Sequence, residues 1–428
     1  MRSPLFLALA CTAVANTALA TSINETIEAS IQYHPAVQSV KAEKEAASYN
    51  IKEAKGGYLP QVSASISTGQ QFANNTTIRS FQDDSHDVWV NTANLSIQQL
   101  IYDGGNTSNR VVSAEKRYDA AGHLESERTQ DVVLEAARVH LDVLRAQELV
   151  ALAKSNAASH ESYVEDIRDR ARNGVITSTD AHHAEARLAL AHASLMEEEE
   201  ALLKANARYV EIVGQHPQDL KASSPISFSF NTQEEAIEYT LANNPTIAES
   251  FSTAQAADAE YKRTNSAFRP NVNFEVTSSV RDNSASSDLS NFNEQSHDTF
   301  AGFTMSWDLF RGGSDSARRE SAASTKASTE ALMKLAQRDA REEVSTIWHA
   351  RTKLQDRIPL LESYSNSIHT VLEDYIDQFA VNRRDLLDLL DRQVESYRAD
   401  SDLISASYDL SVKNYELLHA TGQIKDQF

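Results

Sequence analysis

Two hydrophobic patterns run along this chain, and each occurs twice. After Pro60, apolar residues take every second position at Val62, Ala64 and Ile66, and after Pro270 they do so at Val272, Phe274, Val276 and Val280. A period of two gives an extended strand one apolar and one polar face. Returning strands are predicted over 88–102, with Trp89, Leu95, Ile97 and Ile101 on one parity, and over 299–310, with Phe303, Met305, Trp307 and Leu309 on one parity. The stretches 73–86 and 283–297 are rich in Asn, Ser, Asp and Thr and read as exposed loops. These strands are long enough to cross a bilayer, which takes about 9–11 residues. Trp89, Tyr102, Trp307 and Phe310 lie near strand ends, where aromatic girdles meet the membrane interface.

The second pattern is helical. Val132, Ala136, Val139, Val143, Ala146 and Val150 recur at alternating steps of four and three, the seam of a coiled coil. The helix predicted over 106–173 contains no proline, and its counterpart over 314–379 has Pro359 as its one interruption. A helix of roughly 67 residues is on the order of 100 Å long, more than a compact soluble domain needs. Breaks follow at Asn173-Gly174-Val175 and Val381-Asn382-Arg383, and shorter helices then return to Gly214 and Gly422. Leu386, Leu390, Val394 and Tyr397 supply an apolar stripe to the second of them. Ahead of the strands lie helical segments over 24–56 and 233–266, marked by Ile27, Ile31 and Val37 and by Ile237 and Leu241, with Pro35 and Pro245 in a break between two helices.

These elements form an internal repeat with a period near 208 residues. His34-Pro35 returns as Asn244-Pro245, Leu59-Pro60 as Arg269-Pro270, Asp103-Gly104-Gly105 as Arg311-Gly312-Gly313, Asp180 as Asp388, and Gly214-Gln215 as Gly422-Gln423. Five landmarks in order define two copies, 21–219 and 220–428.

Residues 1–20 read as a secretory signal, with Arg2 as the positive charge, an apolar core from Leu5 to Ala15 and a small-x-small cleavage site at Ala18-Leu19-Ala20. Cys11, the one cysteine, raises a lipoprotein alternative, but Ala8-Leu9-Ala10 is a poor lipobox. Cleavage removes it, and with it disulfide and thiolate chemistry. The net charge of −21 argues against nucleic acid as a partner. No later segment has the apolar length of a membrane helix, so a membrane-spanning form must be a closed barrel. Four membrane-length strands cannot close one, since barrels start at about eight. The chain is therefore expected to self-associate about a common axis.

The signal peptide, the two-fold repeat and the Asp-Gly-Gly or Arg-Gly-Gly at the strand-to-helix junction resemble the TolC family of outer-membrane factors. So do the long-helix and short-helix pair and Leu387-Asp388-Leu389-Leu390-Asp391. The resemblance covers the mature chain and rests on the order and spacing of these motifs. It implies an α+β membrane protein: a long α-helical coiled-coil barrel continuous with a transmembrane β-barrel, twelve-stranded as a homotrimer. Such ducts sit in the cell outer membrane, extend through the periplasm, and export substrate with a periplasmic adaptor and an inner-membrane transporter of ABC or proton-driven type. By that resemblance the chain looks closer to the members serving type I protein secretion; multidrug or small-molecule efflux is the alternative.

A duct needs a gate rather than a catalyst. Asp388 and Asp391 are three residues apart and share a helix face. Facing the axis of a trimer, they would form two stacked carboxylate rings that repel anions and hold cations. The family carries two aspartates at the matching positions of its periplasmic constriction. In the first copy Asp180 matches Asp388, but His183 stands where Asp391 does. The resemblance also implies a latch between Arg384 and Asp180; an upstream family tyrosine is replaced by Phe379. The bland reading of these aspartates is a solvated face of an acidic chain.

His182 and His183, with His160 and His192, lack the carboxylate or cysteine partners of a metal site, and Glu197 to Glu200 reads as a solvated face. Gly104-Gly105 and Gly312-Gly313 are not phosphate loops, since no Lys-Ser/Thr follows, and no nucleophile elbow is present. No enzyme chemistry or cofactor is implied. The remaining alternatives are a trimeric coiled-coil surface adhesin, whose strands should gather at the C-terminus, and the periplasmic adaptor, which should have a single helical hairpin.

Overall fold

The computed structural model describes residues 21–73, 86–173, 176–222, 226–285, 294–381 and 383–427. The expected signal peptide, with Cys11, lies outside these residues, as do most of the two inter-strand loops, Gly174, Val175 and Asn382.

In chain order the elements are α1 (Ile23–Tyr33), α2 (Pro35–Gly56), β1 (Gln61–Ala73), β2 (His86–Tyr102), α3 (Asn106–Arg172) and α4 (Ser178–Val213). The second copy repeats them as α5 (Gln233–Asn243), α6 (Pro245–Thr264), β3 (Asn271–Ala285), β4 (Glu294–Ser306), α7 (Ser314–Ala380) and α8 (Leu386–Thr421). The copies agree in length: α3 and α7 each have 67 residues, and α4 and α8 each have 36. Compact packing does not follow the repeat. One unit draws its described residues from Met1–Ser39, Ser126–Asn244 and Asp339–Phe428, the other from Val40–Glu125 and Pro245–Arg338, so each unit mixes both copies.

Local chemistry sets the boundaries. A capping box opens α1, the Ser22 hydroxyl accepting the Glu25 N–H while the Glu25 carboxylate accepts the Ser22 N–H at 2.8 Å. The helix stops at His34, which is extended because proline follows, and Pro35 begins the next helix. Asn244 and Pro245 repeat the device. Left-handed glycines end both return helices, Gly214 at φ 79° and Gly422 at φ 80°. Pro359 does not interrupt α7 as the sequence suggested; the helix continues through it. A proline inside a helix costs about 3 kcal/mol; on either side of it in α7, Val344, Ile347, Ile368 and Leu372 are buried.

In the unit that carries the strands, all four pair antiparallel in the order β1-β2-β3-β4. The two copies join at the β2–β3 ladder. Register brings Val62, Ile97, Val276 and Ala301 into line on one face, and Ser63, Ser96 and Thr277 on the other. The apolar face is bare: Ile66 is 86 % exposed and Phe303 71 %. The expected strand over 299–310 stops at Ser306, and Trp307, Leu309 and Phe310 lie beyond it. Ser306 pairs with Asn271, the first residue of β3, and Pro270 before it has no N–H to extend the ladder. In β2 an irregularity between Leu100 and Tyr102 returns Tyr102 opposite Val272.

In the other unit, the predicted seam from Val132 to Val150 is buried throughout. Val133, Ala136, Val139 and Val143 pack with Ile27, Tyr209, Ile212, Tyr415 and Leu418 in its largest apolar cluster. Among the described residues no helix is long and apolar enough to cross a membrane.

Candidate functional site

The predicted gate residues stand where α7 turns into α8, and Asp180 stands where α3 turns into α4. One apolar cluster holds these turns: Val164 and Ile167 of α3, Ala184 of α4, Leu372 and Phe379 of α7, and Leu386, Leu389 and Leu390 of α8. Leu389 and Leu390 are fully buried, so Asp388 and Asp391 on the opposite side of α8 are turned out, each side chain 53 % exposed. The apolar stripe predicted on α8 is therefore displaced. Leu386 and Leu390 belong to it, but Leu389, Gln393, Ser396 and Ala399 complete it instead of Val394 and Tyr397.

Each carboxylate has a partner. Asp388 Oδ2 lies 3.4 Å from Arg384 Nη1, one turn back on the same chain segment. Arg384 is aimed by three contacts: its Nε donates to Gln378 Oε1 at 3.2 Å, its guanidinium covers the Tyr375 ring at 4.1 Å, and Nη1 reaches Asp388. Asp391 Oδ1 accepts from Arg187 Nη2 of α4 at 2.5 Å, which ties the second copy's return helix to the first. Asp180 is occupied at its own helix start, its Oδ2 accepting from the Thr177 N–H at 3.0 Å and from the Thr177 hydroxyl at 2.8 Å. Within one chain, then, Arg384 meets Asp388 rather than Asp180.

Arg187, Tyr375 and Gln378 escaped the sequence reading. Arg187 lies one turn beyond His183, the residue that replaces the second aspartate in the first copy, and that spacing was the available signal.

The histidines near the turns go to separate tasks. His182 Nδ1 is 3.4 Å from Glu185 and His192 Nε2 is 3.3 Å from Glu161. His160 is 1 % exposed, edge-on to Tyr163, and its Nδ1 has no partner among the described residues. Burial, with a smaller contribution from the Arg187 charge, pushes its pKa down to about 4. Beside it a buried polar ladder crosses between α3 and α8, the Tyr163 hydroxyl donating to Gln393 Oε1 at 3.2 Å and Gln393 Nε2 donating to Asn156 Oδ1 at 3.3 Å. Among the described residues no three His, Cys, Asp or Glu side chains converge on a metal position. Exposed carboxylates held by arginines can bind or repel ions.

Comparison with known proteins agrees with this architecture. The family model described as "Outer membrane efflux protein" matches residues 26–215 and 236–423, one match per copy. The chain is 24 % identical to the outer membrane efflux protein BepC of Brucella suis, over 88 % of this chain and 79 % of that one. It is 21 % identical to the outer membrane protein TolC of Vibrio cholerae, over 99 % and 96 %. It is 23 % identical to the alkaline protease secretion protein AprF of Pseudomonas aeruginosa, over 92 % and 82 %. The crystal structure of the outer membrane protein VceC from Vibrio cholerae superposes with a TM-score of 0.80 at 18 % identity, covering 94 % of this chain and 96 % of that one.

Proposed function

The chain belongs to the outer membrane efflux protein family, and from that membership we propose that three copies form an outer-membrane channel-tunnel that exports protein by type I secretion. The chain is a channel component of the outer membrane and not an enzyme. The observation that carries the trimer is the unclosed four-stranded sheet with its bare apolar face. Its edge strands must find partners in lipid, and three copies supply twelve strands, above the minimum of about eight for closure. The homotrimer works with a periplasmic adaptor and an inner-membrane transporter. Protein cargo is supported by the likeness to AprF, a protease secretion protein. Small-molecule efflux is the second reading, favoured by the description of the family and by the likeness to BepC.

Asp388 and Asp391 are proposed as the periplasmic gate, two outward carboxylates per copy and six in the trimer. Arg384 and Asp180 are proposed as a latch between neighbouring copies. Arg384 Nη2 and Asp180 Oδ1 have no partner among the described residues and are free to meet across a subunit boundary. An exposed pair contributes about 0–1 kcal/mol, suited to a contact that a docking adaptor has to undo.

Crosslinking the protein in its own cells and identifying the inner-membrane partner tests the cargo. An ATPase-containing transporter supports protein secretion, and a proton-driven pump supports efflux. A purified protein that stays monomeric in detergent would overturn the channel reading altogether.

A further inference from the structure

A cavity of about 420 Å³ opens on α3 between α2 and α6, within the unit that carries the sheet. Three guanidiniums line it, Arg110, Arg117 and Arg263, against two carboxylates, Glu53 and Glu260. In a chain of net charge −21 this local excess of positive charge runs against the composition.

The pairing inside the cavity leaves donors over. Glu260 serves two arginines, accepting from Arg263 Nε at 2.8 Å and lying 3.4 Å from Arg117 Nη2. Arg110 has no carboxylate partner among the described residues, and its Nη2 donates to the Glu53 backbone carbonyl at 2.9 Å. Ser113 is 1 % exposed and lines the same cavity, its hydroxyl beside the Glu260 carboxylate but without a hydrogen bond of good geometry to any described residue. Burial pushes the Glu260 carboxyl up, but Arg263, the nearby Ser113 hydroxyl and Arg117 together hold it below the usual range, so it stays an anion and does not relieve the shortage of acceptors. What the cavity lacks is a compact group with several acceptor oxygens and negative charge. A phosphate group has that form, and guanidinium forks match its oxygens two at a time.

We propose that this cavity is a binding site for a phosphate-bearing anion, held by Arg110, Arg263 and Arg117 with the Ser113 hydroxyl as a fourth donor. Position suggests where the phosphate comes from. Arg110 is one turn into α3, and Ala54 and Arg263 are at the last turns of α2 and α6, close to where strands β1 and β3 begin. At 1.5 Å per residue Arg110 lies roughly 6 Å from the start of its helix, a depth comparable to the headgroup layer of about 5–8 Å flanking a bilayer core. A phospholipid headgroup is thus within reach, and so is free phosphate. Only the lipid source rests on the proposal that the strands span the membrane; the phosphate chemistry does not.

The test uses the full chain purified in detergent. Inorganic phosphate is titrated calorimetrically, and retention of phosphatidylglycerol against phosphatidylcholine is read by native mass spectrometry. Saturable phosphate binding, selective phosphatidylglycerol retention, or both, is the expected result, and the combination identifies the source. Arg110→Gln should weaken binding about tenfold or more, the loss of one charge-assisted contact. Ser113→Ala, too small a change to prevent folding, should weaken it by about threefold or more, the loss of one neutral hydrogen bond. Wild-type protein that binds neither ligand, or binding that both variants leave unchanged, overturns the site. Single-channel conductance of the wild-type protein is read in planar bilayers alongside. That measurement reports on the channel reading independently of the phosphate site.

Discussion

Protonating His160 should destabilise the protein in a defined pH window. The side chain is 1 % exposed, its Nδ1 is unpartnered among the described residues, and Arg187 is a nearby positive charge. Burial first, and Arg187 second, lower its pKa from 6.5 to about 4. The unfolded chain therefore takes up this proton before the folded chain does. The stability that depends on neutral His160 is fully present above pH 6.5 and is lost as the pH falls toward 4. A shift of this size corresponds to about 3 kcal/mol, of which about 2.5 kcal/mol is already lost at pH 4.5. For a chain of this length that lowers a thermal midpoint by roughly 3 °C. His160→Leu removes both the titration and the orphaned nitrogen while filling a similar volume, so it should be neutral or stabilising at pH 7.5. The assay is thermal unfolding in detergent, followed by circular dichroism at pH 7.5 and pH 4.5. The variant should show a drop between the two pH values smaller by roughly 3 °C than that of wild type. Equal drops in the two proteins would refute the reasoning, because other titrating groups are common to both. A charged His160 would also repel Arg187, which holds Asp391, so the same acid range should loosen the contact between α4 and α8.

Three further outcomes are expected. Asp388→Ala combined with Asp391→Ala should raise single-channel conductance and weaken block by divalent cations; unchanged conductance would remove these residues from the gate. Gly214 and Gly312 are both left-handed, at φ 79° and 61°, but a Cβ on Gly214 would lie 2.7 Å from the Tyr33 ring while one on Gly312 meets open space. Replacement by alanine should therefore cost about 1 kcal/mol at Gly312 and about 2 kcal/mol at Gly214, compared by thermal unfolding. Ile66, 86 % exposed on the apolar face, should not tolerate arginine, at about 2–4 kcal/mol if it sits near the bilayer midplane. Ser65→Arg on the polar face should be accepted, and the yield of membrane-inserted trimer distinguishes the two.

Much of the fold is legible along the chain because it rests on local rules. Pro35 and Pro245 mark helix starts wherever they occur, and Gly214 and Gly422 mark helix ends, since each acts through its own backbone. Strand faces follow from a period of two, and the seam from Val132 to Val150 follows from a period of seven. The end of β4 is not legible in the chain, because Trp307 and Leu309 keep the alternation going, and only Pro270, which falls opposite Trp307, stops the ladder. Proline's local cost marks Pro359 as an interruption of a helix that otherwise runs on, whereas α7 continues through it with buried side chains on both flanks.

The candidate site divides along the same line. The spacing of Asp388 and Asp391 placed both on one face of a helix, and the alignment of the two copies singled out Asp180, because periodicity and repetition are properties of the chain itself. Pairing is not such a property. That Asp391 meets Arg187, 204 residues away, that Arg384 covers Tyr375, and that Asp180 caps its own helix depend on which turns are packed together by the cluster around Leu389 and Leu390. Charged side chains with several partners in reach are assigned by tertiary geometry, since exposed pairs differ by only about 1 kcal/mol and sequence spacing cannot rank them. The arginine-lined cavity is the extreme case. Arg110, Ser113 and Arg263 carry no motif, and only the packing of α2, α3 and α6 brings them to one place.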